Sequence, residues 1–131
     1  MSKTITKEYN VSEIQRGYFI CWNICTQCWN ACKIELRDDT KTYFSYEKKF
    51  EKDGHIRMLG QGSADCIGSN LRLIVTCDTD TGEIRQSINS YNVTDNKAAT
   101  VGHGYNLCVE DSTDEDYNDI YVDLIGWKNK G

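Results

Sequence analysis

Apolar and polar residues alternate along much of this chain, and the period is two. In CKIELRDD the apolar Cys32, Ile34 and Leu36 alternate with Lys33, Glu35 and Arg37, and the run then meets the turn-forming pair Asp38-Asp39. LRLIVTCDTDTGEI sets Leu71, Leu73, Val75 and Cys77 on one face, turns at Asp80-Thr81-Gly82 and resumes at Ile84, which predicts a hairpin. DIYVDLIGW alternates Ile120, Val122 and Leu124 with Tyr121 and Asp123, and GYFICWNIC has the aromatic and β-branched content of a buried strand. YNLCVE is a further short strand. No segment sustains a period of 3.6, so the pattern predicts an all-β sandwich of short strands joined by turns.

The chain has 131 residues, a length that suits a single domain over 1–131 with a core of its own. Its formal net charge is -5, which does not suit a nucleic-acid surface. No apolar run is long enough for a membrane span. No apolar stretch follows the lysines of MSKTITKEYN before Gly17, so no secretory leader is expected. The expected location is the cytoplasm, with release by a non-standard route if the partner lies outside cells. The sequons at Asn10 and Asn92 do not outweigh the missing leader.

The charge is concentrated in one place. EDSTDEDYND, residues 110–119, holds six carboxylates and no basic residue, so the remainder of the chain sums to about +1. It lies between the strands YNLCV and IYVDLIGW, so it is a loop whose charges share one space. Like charges about 4 Å apart repel by on the order of 1 kcal/mol even in water, and a cation relieves that repulsion. The donors are all oxygens, carboxylates plus the amide of Asn118, which select a hard cation. A carboxylate-rich cage suits Ca²⁺ better than Mg²⁺, and six acids exceed what one ion needs. The loop is not an EF-hand: Asp119 stands where that loop needs glycine, and Ile125 where it needs glutamate. DTDTG at residues 78–82 looks like a calcium-loop fragment but reads better as a turn.

EDSTDEDYND, with a strand and a terminal glycine after it, resembles the loop of the calcium-dependent, fucose- and mannose-binding bacterial lectins of the LecB type. The likeness is specific over these ten residues and thins elsewhere. It implies two calcium ions side by side, the first held by Glu110, Asp114, Asp116 and Asp119. The second takes Asp116, Asn118 and Asp119, with Asp116 and Asp119 bridging. Asp111 is placed at the sugar's edge. Asn23, in CWNIC, is the candidate for a backbone carbonyl from an early strand, and Ile24 and Cys25 follow it where the family tunes sugar preference. The last ligand is the terminal carboxylate of a dimer partner, here Gly131. The implied function is non-enzymatic binding of mannose- or fucose-type sugars or glycan termini by a homodimer or larger homo-oligomer. The expected architecture is an antiparallel β-sandwich of about nine strands with Greek-key connections. Ser112 replaces a glycine of the family loop, the segment after Asp119 is slightly longer, and the cysteine content is foreign to the family.

Other chemistries fit the residues less well. Cys21, Cys25 and Cys28 have an iron–sulfur spacing, but the chain is too short for the barrel that chemistry uses. Cys25 and Cys28 lack the βαβ context of a redox motif, and a zinc site from Cys21, Cys25, Cys28 and Cys32 would be spread over a long distance if they lie on one strand. The seven cysteines read best as reduced thiols packed as small hydrophobes, with disulfides second. His55 and His103 read as surface or packed histidines, and Trp22, Trp29 and Trp127 as core. A glycosidase needs two carboxyls across a cleft from separate elements, which one ionised loop does not supply. The alternative to a lectin is a calcium-stabilised β-domain acting as an adhesion or interaction module.

Overall fold

In a computed structural model, described for residues 3–52, 55–110, 117 and 119–131, the chain forms nine strands and no helix among the described residues. They are β1 (Lys3–Asn10), β2 (Phe19–Thr26), β3 (Cys32–Arg37), β4 (Thr42–Lys48), β5 (Arg57–Asp65), β6 (Arg72–Thr79), β7 (Arg85–Thr94), β8 (Thr100–Glu110) and β9 (Ile120–Trp127). A four-stranded sheet in the order β1-β6-β3-β4 packs on a five-stranded sheet in the order β5-β2-β9-β8-β7. All pairings are antiparallel. The β-sandwich expected from the alternation is therefore present. Its non-sequential order, with β6 between β1 and β3, is that of Greek-key connections.

The alternation maps onto burial. β2 and β9 bury every second residue: Ile20, Trp22, Ile24 and Thr26 on one, Ile120, Val122, Leu124 and Gly126 on the other. These face Ile34, Leu36, Leu73 and Val75 of the opposing sheet in one core. A one-residue slip would send all of these apolar side chains to solvent, so the register is strongly specified.

Two expectations need correction. β6 does not form a hairpin with the strand after DTDTG. The turn closes locally, with Thr79 Oγ1 donating to the Glu83 carbonyl at 2.9 Å, but β7 then joins the other sheet. The turn chemistry was legible; which sheet receives the next strand is decided by burial further on. The cysteines also divide. Cys21 and Cys25 point outward from β2, whereas Cys28 is buried in the β2–β3 connection and Cys32 opens β3 in the other sheet.

The β3–β4 turn is built on Asp38, which is 5% exposed. Its Oδ1 accepts from the Thr40 and Lys41 amides at 2.7 and 3.0 Å and from the Thr40 hydroxyl at 2.7 Å, while the Tyr43 hydroxyl donates to Oδ2. Burial by itself would push this carboxyl up, but the hydrogen bonds from Tyr43, Thr40 and Lys41 outweigh it and hold the carboxyl at about 2.

Leu124→Ala, at a fully buried site on β9, is expected to lower the unfolding free energy by about 2–5 kcal/mol in urea titrations. Ile88→Ala, at an exposed position of β7, is expected to stay within about 0.5 kcal/mol of the parent. Asp38 makes a second prediction. Its folded pKa lies below the ordinary 3.8, so its contribution is complete above about pH 4 and is lost as pH falls towards 2. Asp38→Asn is expected to lose about 2 kcal/mol at pH 7 and to show a shallower decline between pH 4 and 2. Equal acid profiles for the two proteins would contradict this.

Candidate functional site

β8 and β9 are neighbours within the five-stranded sheet, and their ladder ends at the pair Val109 and Ile120. The next residues outward are Glu110 and Asp119, the first and last acids of EDSTDEDYND. The acidic stretch is thus the connection of a hairpin, as its flanking alternation predicted. Glu110 is 0% exposed and Asp119 is 7% exposed. A buried ionised carboxylate needs hydrogen bonds, a counter-charge or a metal. Arg85 of β7 lies opposite Glu110 in the ladder, and one guanidinium does not balance a stretch of six acids.

Two backbone features fix the root of this loop. Tyr117 donates its N–H to Glu110 Oε1 at 3.2 Å and has φ of 56°, a left-handed conformation uncommon for a tyrosine. The Asp119 carbonyl accepts from the Gln27 and Cys28 amides at 3.0 and 3.3 Å. The β2–β3 connection therefore braces the closing end of the hairpin. At the same end the Thr26 hydroxyl is buried and has no hydrogen-bond partner among the described residues, an arrangement that costs about 1–3 kcal/mol unless something else meets the oxygen.

Of the residues expected to bind metal or sugar, Glu110 and Asp119 are brought together. Asp111, Asp114, Asp116 and Asn118 lie outside the described residues. Among the described residues, no group of three His, Cys, Asp or Glu side chains could hold a metal. The donors at the root are nevertheless oxygens, as a hard cation requires.

Three of the expected site residues lie on β2. Asn23 pairs with Asp123 and Gln61 in mid-strand, whereas Thr26 pairs with Ile120. Asn23 therefore sits roughly 10 Å further from the loop than Thr26. It stands between two neighbouring strands, and its Oδ1 is buried without a hydrogen-bond partner among the described residues. Ile24 is 0% exposed and belongs to the core. Cys25 is half-buried on the outer sheet face, opposite Tyr121 and Met58. The residues that reach the root of the hairpin are Thr26, at the end of β2, and Gln27 and Cys28 in the connection after it. The signal was available, because the alternation of GYFICWNIC runs on through Thr26.

Gly131 lies at the other end. β9 starts beside the loop and is eight residues long, about 26 Å, and the terminus follows it. Gly131 is exposed and extends beyond Trp127, so one chain does not bring its own terminus to its own loop.

The remaining aromatic and histidine expectations divide. Trp22 is core, Trp29 is 50% exposed, and Trp127 is half-buried on the outer face. His103 is packed, with Nε2 at 2.7 Å from Ser90 Oγ and Nδ1 at 2.9 Å from Asn92 Oδ1. Tyr121 donates to Asp123 Oδ1 at 3.1 Å, and burial together with the Asp123 charge pushes its hydroxyl up to about 12.

No protein-family model and no curated protein matches the sequence. Solved structures do match. The C-terminal domain of the lectin BC2L-C from Burkholderia cenocepacia aligns over 97% of this chain and 97% of its own, with a TM-score of 0.60 and 22% identity. The chain has the fold of a bacterial lectin. The Chromobacterium violaceum lectin CV2L, solved in complex with alpha-methyl-fucoside, aligns over 85% of this chain and 96% of its own, with a TM-score of 0.54 and 19% identity. A high-affinity mannose-binding lectin of Ralstonia solanacearum covers the same shares at a TM-score of 0.53 and 20% identity. The resemblance noted from ten residues thus extends, as fold, across nearly the whole chain.

Proposed function

We propose that this protein is a carbohydrate-binding lectin that takes mannose- or fucose-type sugars at the β8–β9 loop, with two calcium ions held there. The observation that carries the reading is the burial of two carboxylates, Glu110 and Asp119, at the root of a loop with four more acids. The fold shared with sugar-binding lectins supports it. The orphaned Thr26 hydroxyl at the same end fits a site that an oxygen-seeking cation completes.

In this reading Glu110, Asp114, Asp116, Asn118 and Asp119 hold the ions. The early-strand contribution comes from Thr26 or Gln27, since these reach the loop. Bound calcium supplies coordination positions that neighbouring hydroxyls of a sugar can fill. The protein's own part is orientation. The Glu110 contact to Tyr117 and the two amide bonds to Asp119 hold the ends of the loop before any ligand arrives. Carboxylates not consumed by the ions, Asp111 among them, accept charge-assisted hydrogen bonds from sugar hydroxyls. No bond in the sugar breaks. A terminal carboxylate at Gly131 can join such a site only from a second copy, so a homodimer or larger assembly accompanies this proposal, and linked sites gain avidity.

The deciding experiment is calorimetric titration of methyl mannoside and methyl fucoside, with calcium and again with a chelator. Saturable heat that requires calcium is expected. No heat in either condition, with calcium still raising the melting temperature, would replace the lectin by a calcium-stabilised interaction module. Asp116→Ala, which removes a bridging carboxylate, is expected to abolish sugar binding while leaving a folded protein by circular dichroism. Residues added after Gly131 are expected to weaken sugar binding and lower the calcium content. An extended chain with the parent's affinity would exclude the shared terminus.

A further inference from the structure

The seven cysteines are thiols in this structure, and two of them stand directly opposite one another. Cys32, the first residue of β3, pairs with Cys77 of β6. Both side chains turn inward, are 3% and 1% exposed, and belong to the same core cluster. The type of pair follows from the neighbouring rung. The Asp78 amide donates to the Ala31 carbonyl at 3.0 Å, which makes Ala31 and Asp78 the hydrogen-bonded rung and Cys32 and Cys77 the non-hydrogen-bonded one. At such rungs the Cα atoms lie about 4.5 Å apart and the side chains approach most closely. That separation is at the short end of the range disulfides span, about 4.4–6.8 Å.

We propose that Cys32 and Cys77 are an oxidisable pair that forms a cross-strand disulfide between β3 and β6 when the protein meets an oxidising medium. The oxidant is a low-molecular-weight disulfide such as oxidised glutathione. One cysteine thiolate attacks it and releases one glutathione thiolate, giving a mixed disulfide. The second cysteine then displaces the other glutathione. Two protein S–H groups become one S–S bond, two protons leave, and one small disulfide becomes two thiols. Burial slows the first attack, but the pair sits where β3 begins and close to the end of β6, and ladder ends open before ladder centres.

The bond has a structural consequence near the candidate site. β3 follows the β2–β3 connection, whose Gln27 and Cys28 amides hold the Asp119 carbonyl. A bond at Cys32 anchors the far end of that brace to the centre of the four-stranded sheet. It also closes a long chain segment running from β3 to β6, so it restricts the unfolded state. The proposal does not depend on sugar or calcium binding. It concerns the chain's behaviour on passing from a reducing to an oxidising compartment.

The test uses the full-length protein, incubated with oxidised glutathione or with dithiothreitol, then denatured, alkylated and digested. Loss of two of the seven thiols, a Cys32–Cys77 linked peptide and a melting temperature raised by roughly 10 °C are expected. Cys32→Ser should remove the linked peptide and the shift, and Cys66→Ser should leave both. If Cys32→Ser fails to fold, the mapping on the parent protein still decides. Seven alkylated thiols after oxidation would overturn the proposal. So would a link that joins Cys77 to Cys28, the buried thiol of the β2–β3 connection, in place of Cys32.

Discussion

The β8–β9 ladder is the interaction on which the candidate site depends. Its inner side carries Leu107, Val109, Val122 and Leu124, all fully buried. Its outer side carries Asn106 and Asp123, which are hydrogen-bonded to each other across the strands. With one side committed to the core, the pairing cannot slip by one residue without exposing all four apolar side chains. The rung Val109–Ile120 is therefore fixed by packing, and it delivers Glu110 and Asp119 to the end of the hairpin whatever occupies the loop between them. Hydrophobic burial thus enforces a clustering of like charges that electrostatics alone would disperse. Carboxylates held together near a protein surface repel by several kcal/mol at contact distances, and the proposed calcium site is the arrangement that would relieve that repulsion.

Much of this was legible from residue pattern, and the parts that were not share a physical reason. β2, β3, β6 and β9 all lie inside their sheets, pack on a core on one side, and alternate clearly. The edge strands are β1, β4, β5 and β7, and their sequences carry weaker signals. β7 is exposed along most of RQSINSYNVT, and β5 includes two glycines. Their strand character comes from the hydrogen bonds a neighbour offers, which no local period records. DTDTG was a correct turn with a wrong destination for the same reason. A turn's residues specify its backbone, while the choice of sheet belongs to the strand that follows.

The site itself was half legible. Six acids in ten residues are visible in any reading, and their placement between two alternating strands identifies a hairpin connection. The position of the bracing segment was not legible from composition. Asn23 was the candidate for a backbone carbonyl, yet β2 runs on through Thr26, and a contact made by the backbone leaves no mark on residue identity. The braces at Gln27 and Cys28 are of that kind. Counted to its end, the alternation carries β2 to Thr26, opposite Ile120.

The same antiparallel geometry separates the two ends of β9. The strand leaves the loop at Ile120 and reaches Trp127 at the opposite end of the sandwich, so the acid-rich root and the Gly131 that follows Trp127 lie apart within one molecule. Any arrangement that uses both must be intermolecular. Symmetry then gives the relation a fixed form, because a terminus donated to a partner's loop implies the partner's terminus in return when the contact is two-fold. Under the lectin reading, each sugar site would then be complete only in the assembled pair. Calcium occupancy, sugar affinity and association would be linked equilibria, each strengthening with the others.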